Sequence, residues 1–211
     1  MQGFLGSIFY IVVLIMSVVV HEVAHGFAAE SQGDPTARYA GRLTMNPLRH
    51  LDMVGSVILP LLLVLFHAGF MIGWAKPVPY NERNLRNKRW GTAIVASAGI
   101  LVNLCLAILF GLLIRVAPLV LGSSAQAFTD IASVIVIVNL VLALFNLIPI
   151  PPLDGSKILF SLFPRSTIKF QAMVEYLSLP LLILFLFYLW PLIFPFVGTL
   201  FTFITGTSLG F

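Results

Sequence analysis

The chain has 211 residues, of which 59% are hydrophobic and only 9% are charged, and its mean hydropathy is +1.03. Soluble domains carry roughly 25% charged residues, so this composition excludes an ordinary soluble protein and indicates an integral membrane protein. The apolar runs are long rather than alternating, which favours helices over an outer-membrane barrel. The net charge of +4 is typical of basic cytoplasmic loops and predicts no nucleic-acid partner.

The first apolar run extends from Phe4 to Ala29 and is long enough to cross a hydrocarbon core of about 30 Å. It lacks the basic start and the cleavage site of a signal peptide, so we expect it to remain in the protein. Near its end stands His21-Glu22-Val23-Ala24-His25. Two histidines at this spacing lie on one face of a helix and can bind one zinc ion, with the glutamate as general base. Ionisable groups at membrane depth are costly and indicate a functional site.

The rest of the chain alternates between polar links and apolar segments. The polar link after the first span contains Ala37–Met45, which we predict to form a β-hairpin that dips into the membrane. The pattern as a whole predicts an all-α polytopic membrane protein, a bundle of about four to six membrane segments in one domain covering 1–211. Its catalytic core is expected at about 4–160, with one or two C-terminal membrane segments at about 172–211. The other apolar segments are 53–72, 91–118 and 131–148.

The distribution of Lys and Arg predicts the orientation. The loops at 31–52 and 73–90 are both basic, and the positive-inside rule places both in the cytoplasm and the N-terminus outside. Two flanking loops on the same side require that segment 53–72 enters and returns, with a break near Pro60 or Gly69. Backbone of this kind is tolerated where it is buried in protein or lines a wet cavity. An ordinary span with a weak charge bias remains the alternative.

A catalytic zinc ion takes three protein ligands, so the two histidines need a third. The chain has only eight Asp and Glu residues. Asp154 is the best candidate, because it follows the span at 131–148 after a Pro-rich stop and precedes Gly155. The predicted topology also brings it to the cytoplasmic side with the end of the first span. The alternative is that Asp154 only caps the following helix.

Four stretches together resemble the site-2 protease family of intramembrane zinc metalloproteases, in particular its compact prokaryotic members without a PDZ or CBS domain. One departure is that Ala98-Gly99 is followed by Ile100 where the family usually has proline at the start of a core helix. Asn103 stands where the family places an asparagine. The matching stretches are His21-Glu22-Val23-Ala24-His25-Gly26, Gly41 to His50, Gly73-Trp74-Ala75-Lys76-Pro77-Val78-Pro79 and Phe145 to Gly155.

The resemblance implies one zinc ion per chain, held by His21, His25 and Asp154, with Glu22 as the catalytic base and Asn146 close to the site. The implied function is an intramembrane endopeptidase that cuts membrane-spanning proteins or peptides within the bilayer, either in regulated proteolysis or in clearing signal remnants. The implied location is the cell membrane, with the active site toward the cytoplasm. No oligomeric state is predicted.

Four further residues are candidates for positioning the substrate, three of them in or next to the predicted hairpin: Arg42, Thr44, Asn46 and Asn103. Asparagines in a bundle can also simply bridge helices, which is the alternative for Asn103 and Asn146. Two other function classes stay open beside the protease. The same ligands would suit a zinc transporter or a zinc scaffold without turnover.

The predicted orientation can be tested by cysteine labelling next to Asn84, in the second basic loop. We expect Glu82→Cys, in a chain whose own Cys105 is changed to serine, to react with a membrane-impermeant maleimide only from the cytoplasmic side. Labelling of intact cells from outside would contradict the re-entrant topology.

Overall fold

The computed structural model describes residues 4–58, 61–62, 65–66, 73–87, 90–163 and 168–208. In this part the chain is helical, with no strand and one isolated antiparallel bridge between Leu51 and Ala75. The helices are α1 Phe4–Ser31, α2 Thr36–Tyr39, α3 Gly91–Leu121, α4 Ala125–Asn146, α5 Asp154–Leu162, α6 Ile168–Tyr176, α7 Ser178–Leu184 and α8 Trp190–Thr205. Shorter 3₁₀ or π turns cover Pro47–Arg49, Met53–Ile58, Glu82–Asn84, Gly122–Ser124 and Phe185–Leu189.

Two described helical stretches are long and apolar enough to cross a membrane, Ile8–Ser31 and Gly91–Asn146. The second reverses direction at Gly122, whose φ of 52° lies in the left-handed region that favours glycine. A third candidate is the pair Lys169–Tyr176 and Ser178–Leu189, which is bent by 60°. The predicted all-α membrane fold is therefore confirmed, whereas the larger number of four to six segments stays a prediction.

The main hydrophobic core lies where α3, α4 and α8 meet. Small residues let these helices approach closely, as is common in membrane bundles. Gly111 on α3 faces Ile204 on α8, and a Cβ at this glycine would lie 2.3 Å from Cγ2 of that isoleucine. The buried members of the core are Ala107, Ile114, Ala132, Val136, Leu140, Val197 and Phe201.

The structure differs from the hairpin prediction for Ala37–Met45. This region begins with the last residues of α2, continues through a turn in which Gly41 has a φ of 63°, and reaches the 3₁₀ turn Pro47–Arg49 without forming a strand. The physical reason is a local hydrogen-bonded turn. Asp34 accepts hydrogen bonds from the backbone N–H and the hydroxyl of Thr36, which starts a helical turn.

The two ends of the predicted re-entrant segment 53–72 meet. The N–H of Trp74 donates to the carbonyl of Gly55 at 3.2 Å, and the hydroxyl of Ser56 donates to the carbonyl of Trp74 at 2.7 Å. The indole also packs on Gly55, where a Cβ would lie 2.3 Å from the ring. The chain therefore returns at Trp74 to the place that it left at Gly55. Residues 59–60, 63–64 and 67–72 of this segment, including Pro60 and Gly69, lie outside the described part.

A buried carboxylate ties the end of α1 to the loop before α3. Asp34 has no exposed surface and accepts hydrogen bonds from Thr36, from the backbone N–H of Asn81 at 2.6 Å and from the side-chain amide of Asn84 at 2.8 Å. Burial raises the pKa of Asp34, but these hydrogen bonds outweigh it and hold the pKa below its usual range. The ionised carboxylate is thus part of the fold.

Asp34→Asn should lower the stability of the protein at neutral pH by about 2 kcal/mol, because hydrogen bonds to a charged group each contribute about 1.5–3 kcal/mol. Because the folded-state pKa is lowered, this stability is present above the unfolded-state pKa of about 3.9 and is lost as the pH falls further. Thermal unfolding in detergent should therefore show a wild-type advantage that shrinks below about pH 4. The control, Asp130→Asn at an exposed position, should change little. Equal stability of the Asp34 variant at pH 7 would contradict this role.

Candidate metal centre

Three side chains predicted as metal ligands converge in the interior. Nε2 of His21, Nε2 of His25 and Oδ2 of Asp154 lie 3.0 Å from one another in each pair. The residues are only 5%, 7% and 4% exposed. The two histidines come from successive turns of α1, and the aspartate is the first residue of α5. They form the only group of three or more metal-type side chains found in the described part of the chain.

The hydrogen bonds of the Nδ1 atoms of His21 and His25 decide whether the Nε2 atoms carry a proton or a free lone pair. Nδ1 of His25 lies 2.8 Å from the carbonyl of Val95, which can only accept a hydrogen bond, so Nδ1 carries the proton. Nδ1 of His21 lies 3.0 Å from Oδ1 of Asn103, which likewise accepts. In the neutral rings both Nε2 atoms then present lone pairs to each other and to the carboxylate. Three converging acceptors at 3.0 Å repel one another unless a cation lies between them.

The donor set and its dimensions fit zinc. Two imidazole nitrogens and one carboxylate oxygen are a common catalytic zinc set, which leaves a fourth position open. Ligand atoms at about 2.0–2.1 Å from a tetrahedral zinc ion lie about 3.3 Å apart, close to the 3.0 Å between these atoms. The three ligating atoms would need to separate by only a few tenths of an ångström.

Asp154 reaches the histidines through a tight turn after α4. A Cβ at Gly155 would lie 2.2 Å from the carbonyl oxygen of Leu147, and backbone cannot move aside as a side chain can. The second oxygen of Asp154 accepts from Nζ of Lys157 at 3.1 Å. The ammonium group of Lys157 favours the ionised carboxylate, which is the form that binds a metal ion.

Glu22 faces a different part of the molecule from its two histidine neighbours. Its Oε2 accepts a hydrogen bond from the backbone N–H of Val78 at 2.8 Å. Gly26, one turn later on the same face, is packed so closely that a Cβ there would lie 2.5 Å from Leu43 and 3.0 Å from Val78. The loop that carries Val78 thus lies directly on the face of α1 that presents Glu22.

The other predicted site residues have the following surroundings. Asn146, at the end of α4, donates one amide hydrogen to the carbonyl of Leu142. Arg42 is 7% exposed and donates to the carbonyls of Lys76 and Pro77, so it holds the loop next to Val78. The side chain of Thr44 accepts from the N–H of Asn46, and the side chain of Asn46 accepts from the N–H of Leu48. Asn103 is fully buried against His21.

Sequence reasoning missed several groups around the ligands. Gly99 lies two turns inside α3 rather than at a helix start, and a Cβ there would lie 2.6 Å from the rings of both His21 and His25. The contacts of the Val95 carbonyl with His25 and of the Lys157 ammonium group with Asp154 were not predicted. A backbone carbonyl such as that of Val95 has no side-chain pattern that could indicate it. Asn139 accepts a hydrogen bond from Asn103 and donates one to Ser17; an asparagine inside an apolar run was a usable signal.

The amino-acid sequence of the chain is similar to those of known peptidases. The profile described as Peptidase family M50 matches residues 113–189. The protein named "Putative zinc metalloprotease YwhC" from Bacillus subtilis strain 168 is 37% identical over 195 residues, which cover 88% of this chain and 85% of that protein. The chain belongs to peptidase family M50, the site-2 proteases. It is a zinc metalloprotease.

A second relative is more distant. The protein named "Putative zinc metalloprotease Rip2" from Mycolicibacterium smegmatis is 30% identical over 141 residues, or 67% of this chain and 52% of that protein. No solved structure shows a significant match to the chain. The predicted resemblance to the site-2 proteases is confirmed, and in this M50 protein the His-His-Asp group is the natural place for the zinc ion that the family implies.

Gly99→Ala should weaken zinc binding in this M50 protease by about 10-fold or more, because the added methyl group displaces both imidazoles and disturbed support around ligands costs about 10–100-fold in affinity. Gly111→Ala is the matched control, since it adds the same atom to the same helix against Ile204, away from the ligands. Zinc content after dialysis against graded chelator measures the effect. Equal zinc retention in both variants would show that the close packing of the rings on Gly99 is unimportant.

Proposed function

We propose that this M50 protease is an intramembrane endopeptidase that holds one zinc ion per chain at His21, His25 and Asp154. The observation that carries the proposal is the convergence of three acceptor atoms at 3.0 Å, two of them on a membrane-type helix. His21 lies 13 residues after Ile8 and 10 residues before Ser31 in the candidate span. At 1.5 Å per residue it is about 20 Å from one end and about 15 Å from the other. The peptide bond that is cut should therefore lie at membrane depth.

The residues around the site support a water-based hydrolysis. Zinc bound by this set supplies a Lewis acid that polarises the peptide carbonyl and acidifies a water molecule. Glu22 is the general base. Its Oε2 is held by the N–H of Val78, so Oε1 accepts the water proton and delivers it to the departing amine nitrogen.

Asn146 is proposed to stabilise the negative charge that develops on the substrate oxygen. Its amide nitrogen has two hydrogens, and the hydrogen bond to Leu142 uses one of them. The other is the donor that would contact the oxygen. The residue stands at the end of α4, next to the turn that delivers Asp154.

A membrane-spanning substrate must unwind before it can be cut, because a helix engages its peptide carbonyls in its own hydrogen bonds. An extended peptide can be held through main-chain contacts. Arg42, Thr44 and Asn46 are proposed to act on the substrate indirectly. Arg42 fixes the loop at Lys76 and Pro77. The side chains of Thr44 and Asn46 fix the turn that leads to Leu48.

The active site is proposed to open toward the cytoplasm, with the N-terminus outside. The contact between Gly55 and Trp74 supports this topology, because it brings the two basic loops that flank segment 53–72 to one side. The basic residues of these loops then face the anionic headgroups of the inner leaflet.

Glu22→Gln should keep zinc bound and lower the rate of cleavage by about 10²–10⁴-fold, the usual contribution of a general base. Cleavage of a single-span substrate in liposomes and zinc content of the same samples measure the two effects. Glu30→Gln, the same change two turns later on α1, is the control and should alter neither; its carboxylate pairs only with Arg38 in the described structure.

Asp154→Asn should lose both zinc and cleavage, which separates loss of the metal from loss of the base. If Glu22→Gln cleaved at the wild-type rate with zinc in place, the proposed mechanism would be wrong. A wild-type protein that binds zinc but cuts no membrane substrate would instead favour the scaffold alternative.

A further inference from the structure

A continuous chain of hydrogen bonds leads from one metal ligand into the helix bundle. Nδ1 of His21 donates to Oδ1 of Asn103 at 3.0 Å, and Nδ2 of Asn103 donates to Oδ1 of Asn139 at 3.1 Å. Nδ2 of Asn139 donates in turn to Oγ of Ser17 at 3.0 Å and to the backbone carbonyl of Ile135 at 2.9 Å. The two asparagines have no exposed surface, and Ser17 is 4% exposed.

This series of hydrogen bonds begins and ends on α1. Ser17 lies one turn before His21 on α1, Asn103 is on α3, and Asn139 is on α4. No acidic or basic side chain takes part, so the histidine is held by neutral amides. A metal-binding histidine usually donates its other N–H to a carboxylate, a carbonyl or water, and here that acceptor is an amide whose orientation depends on its own neighbours.

The backbone carbonyl of Ile135 fixes the orientation of both asparagine side chains in this series of hydrogen bonds. The carbonyl of Ile135 can only accept, so the atom of Asn139 that faces it must be the amide nitrogen. The oxygen of Asn139 then faces Asn103, so Asn103 must donate a hydrogen bond to it through its own amide nitrogen. The oxygen of Asn103 is therefore left for His21, whose Nδ1 must carry the proton.

The position of that proton decides whether His21 can bind a metal ion. A neutral imidazole has one protonated and one unprotonated nitrogen. With the proton on Nδ1, the lone pair of Nε2 points toward His25 and Asp154. If Asn103 were turned over, its amide hydrogens would face Nδ1, the proton would move to Nε2, and the ligand would be lost.

We propose that Asn139, which touches no metal ligand, is a positioning residue of the metal centre. Through Asn103 it fixes the proton of His21 on Nδ1 and keeps Nε2 free for the metal. The alternative is that Asn139 only holds α3 and α4 together, as buried amides do in membrane bundles. The two roles differ in what they predict for zinc affinity. The proposal rests on the metal site alone, and the identity of the base or the substrate does not enter it.

The decisive pair of variants is Asn139→Leu and Asn139→Asp. Leucine removes both polar atoms and frees Asn103 to turn over, so the zinc dissociation constant, measured by chelator competition, should rise about 10–100-fold. An aspartic acid in its neutral form keeps an acceptor for Asn103 and a donor for Ile135, so it should bind zinc within about 3-fold of wild type, since the orientation of Asn103 is preserved. Nitrogen-15 NMR of the metal-free protein should show the His21 proton on Nδ1 in wild type and in the aspartate variant.

Two controls separate positioning from stability. Gly111→Ala loosens the contact of α3 with α8 and should lower thermal stability without changing zinc affinity. Ser97→Ala removes a partly buried hydroxyl of α3 that bonds only within its own helix, and it should also leave zinc affinity unchanged. The proposal is overturned if Asn139→Leu binds zinc as tightly as Gly111→Ala, or if the leucine and aspartate variants lose affinity equally. A wild-type protein that binds zinc but is inactive would contradict the proposed protease mechanism and not this inference.

Discussion

The site depends on the four-residue spacing of α1, which divides one helix between two tasks. Ser17, His21 and His25 repeat at this spacing and therefore share the face that packs on α3 and α4. Glu22 and Gly26 repeat in the same way on the neighbouring face, which packs on the loop around Val78. A shift of one residue would turn the histidines by about 100° away from α3 and α4. The helix thus sets the proposed ligands against α3 and α4 and the proposed base against the loop around Val78.

Close approach is the second requirement, and glycines meet it at each contact. A Cβ at Gly99 would overlap both imidazole rings, and one at Gly155 would overlap the backbone at the end of α4. Gly26 lets the loop residues reach α1. Larger residues at these positions would increase the separation of the elements and open a site in which the ligand atoms lie only 3.0 Å apart.

The sequence predicted those parts of the site that the chemistry of the side chains alone identifies. His21, His25 and Asp154 are ionisable groups in an apolar chain, and the predicted topology placed them on the same side of the membrane. The hairpin at Ala37–Met45 was wrongly predicted because the residue types there do not reveal that Asp34 starts a helical turn. The support from Val95 was beyond prediction because a backbone carbonyl leaves no mark on the sequence.

Burial explains why so many neutral groups surround the ligands. A charged partner for each histidine would need its own compensation in the low dielectric of a membrane bundle, where an unpaired ion is very costly. Asn103 and the carbonyl of Val95 fix both rings without adding charge. The net charge of the two neutral imidazoles and Asp154 is then −1, and Lys157 offsets it at the exposed edge of the site. A divalent cation held by His21, His25 and Asp154 would give the site a positive excess, which would favour the negative charge that develops during hydrolysis.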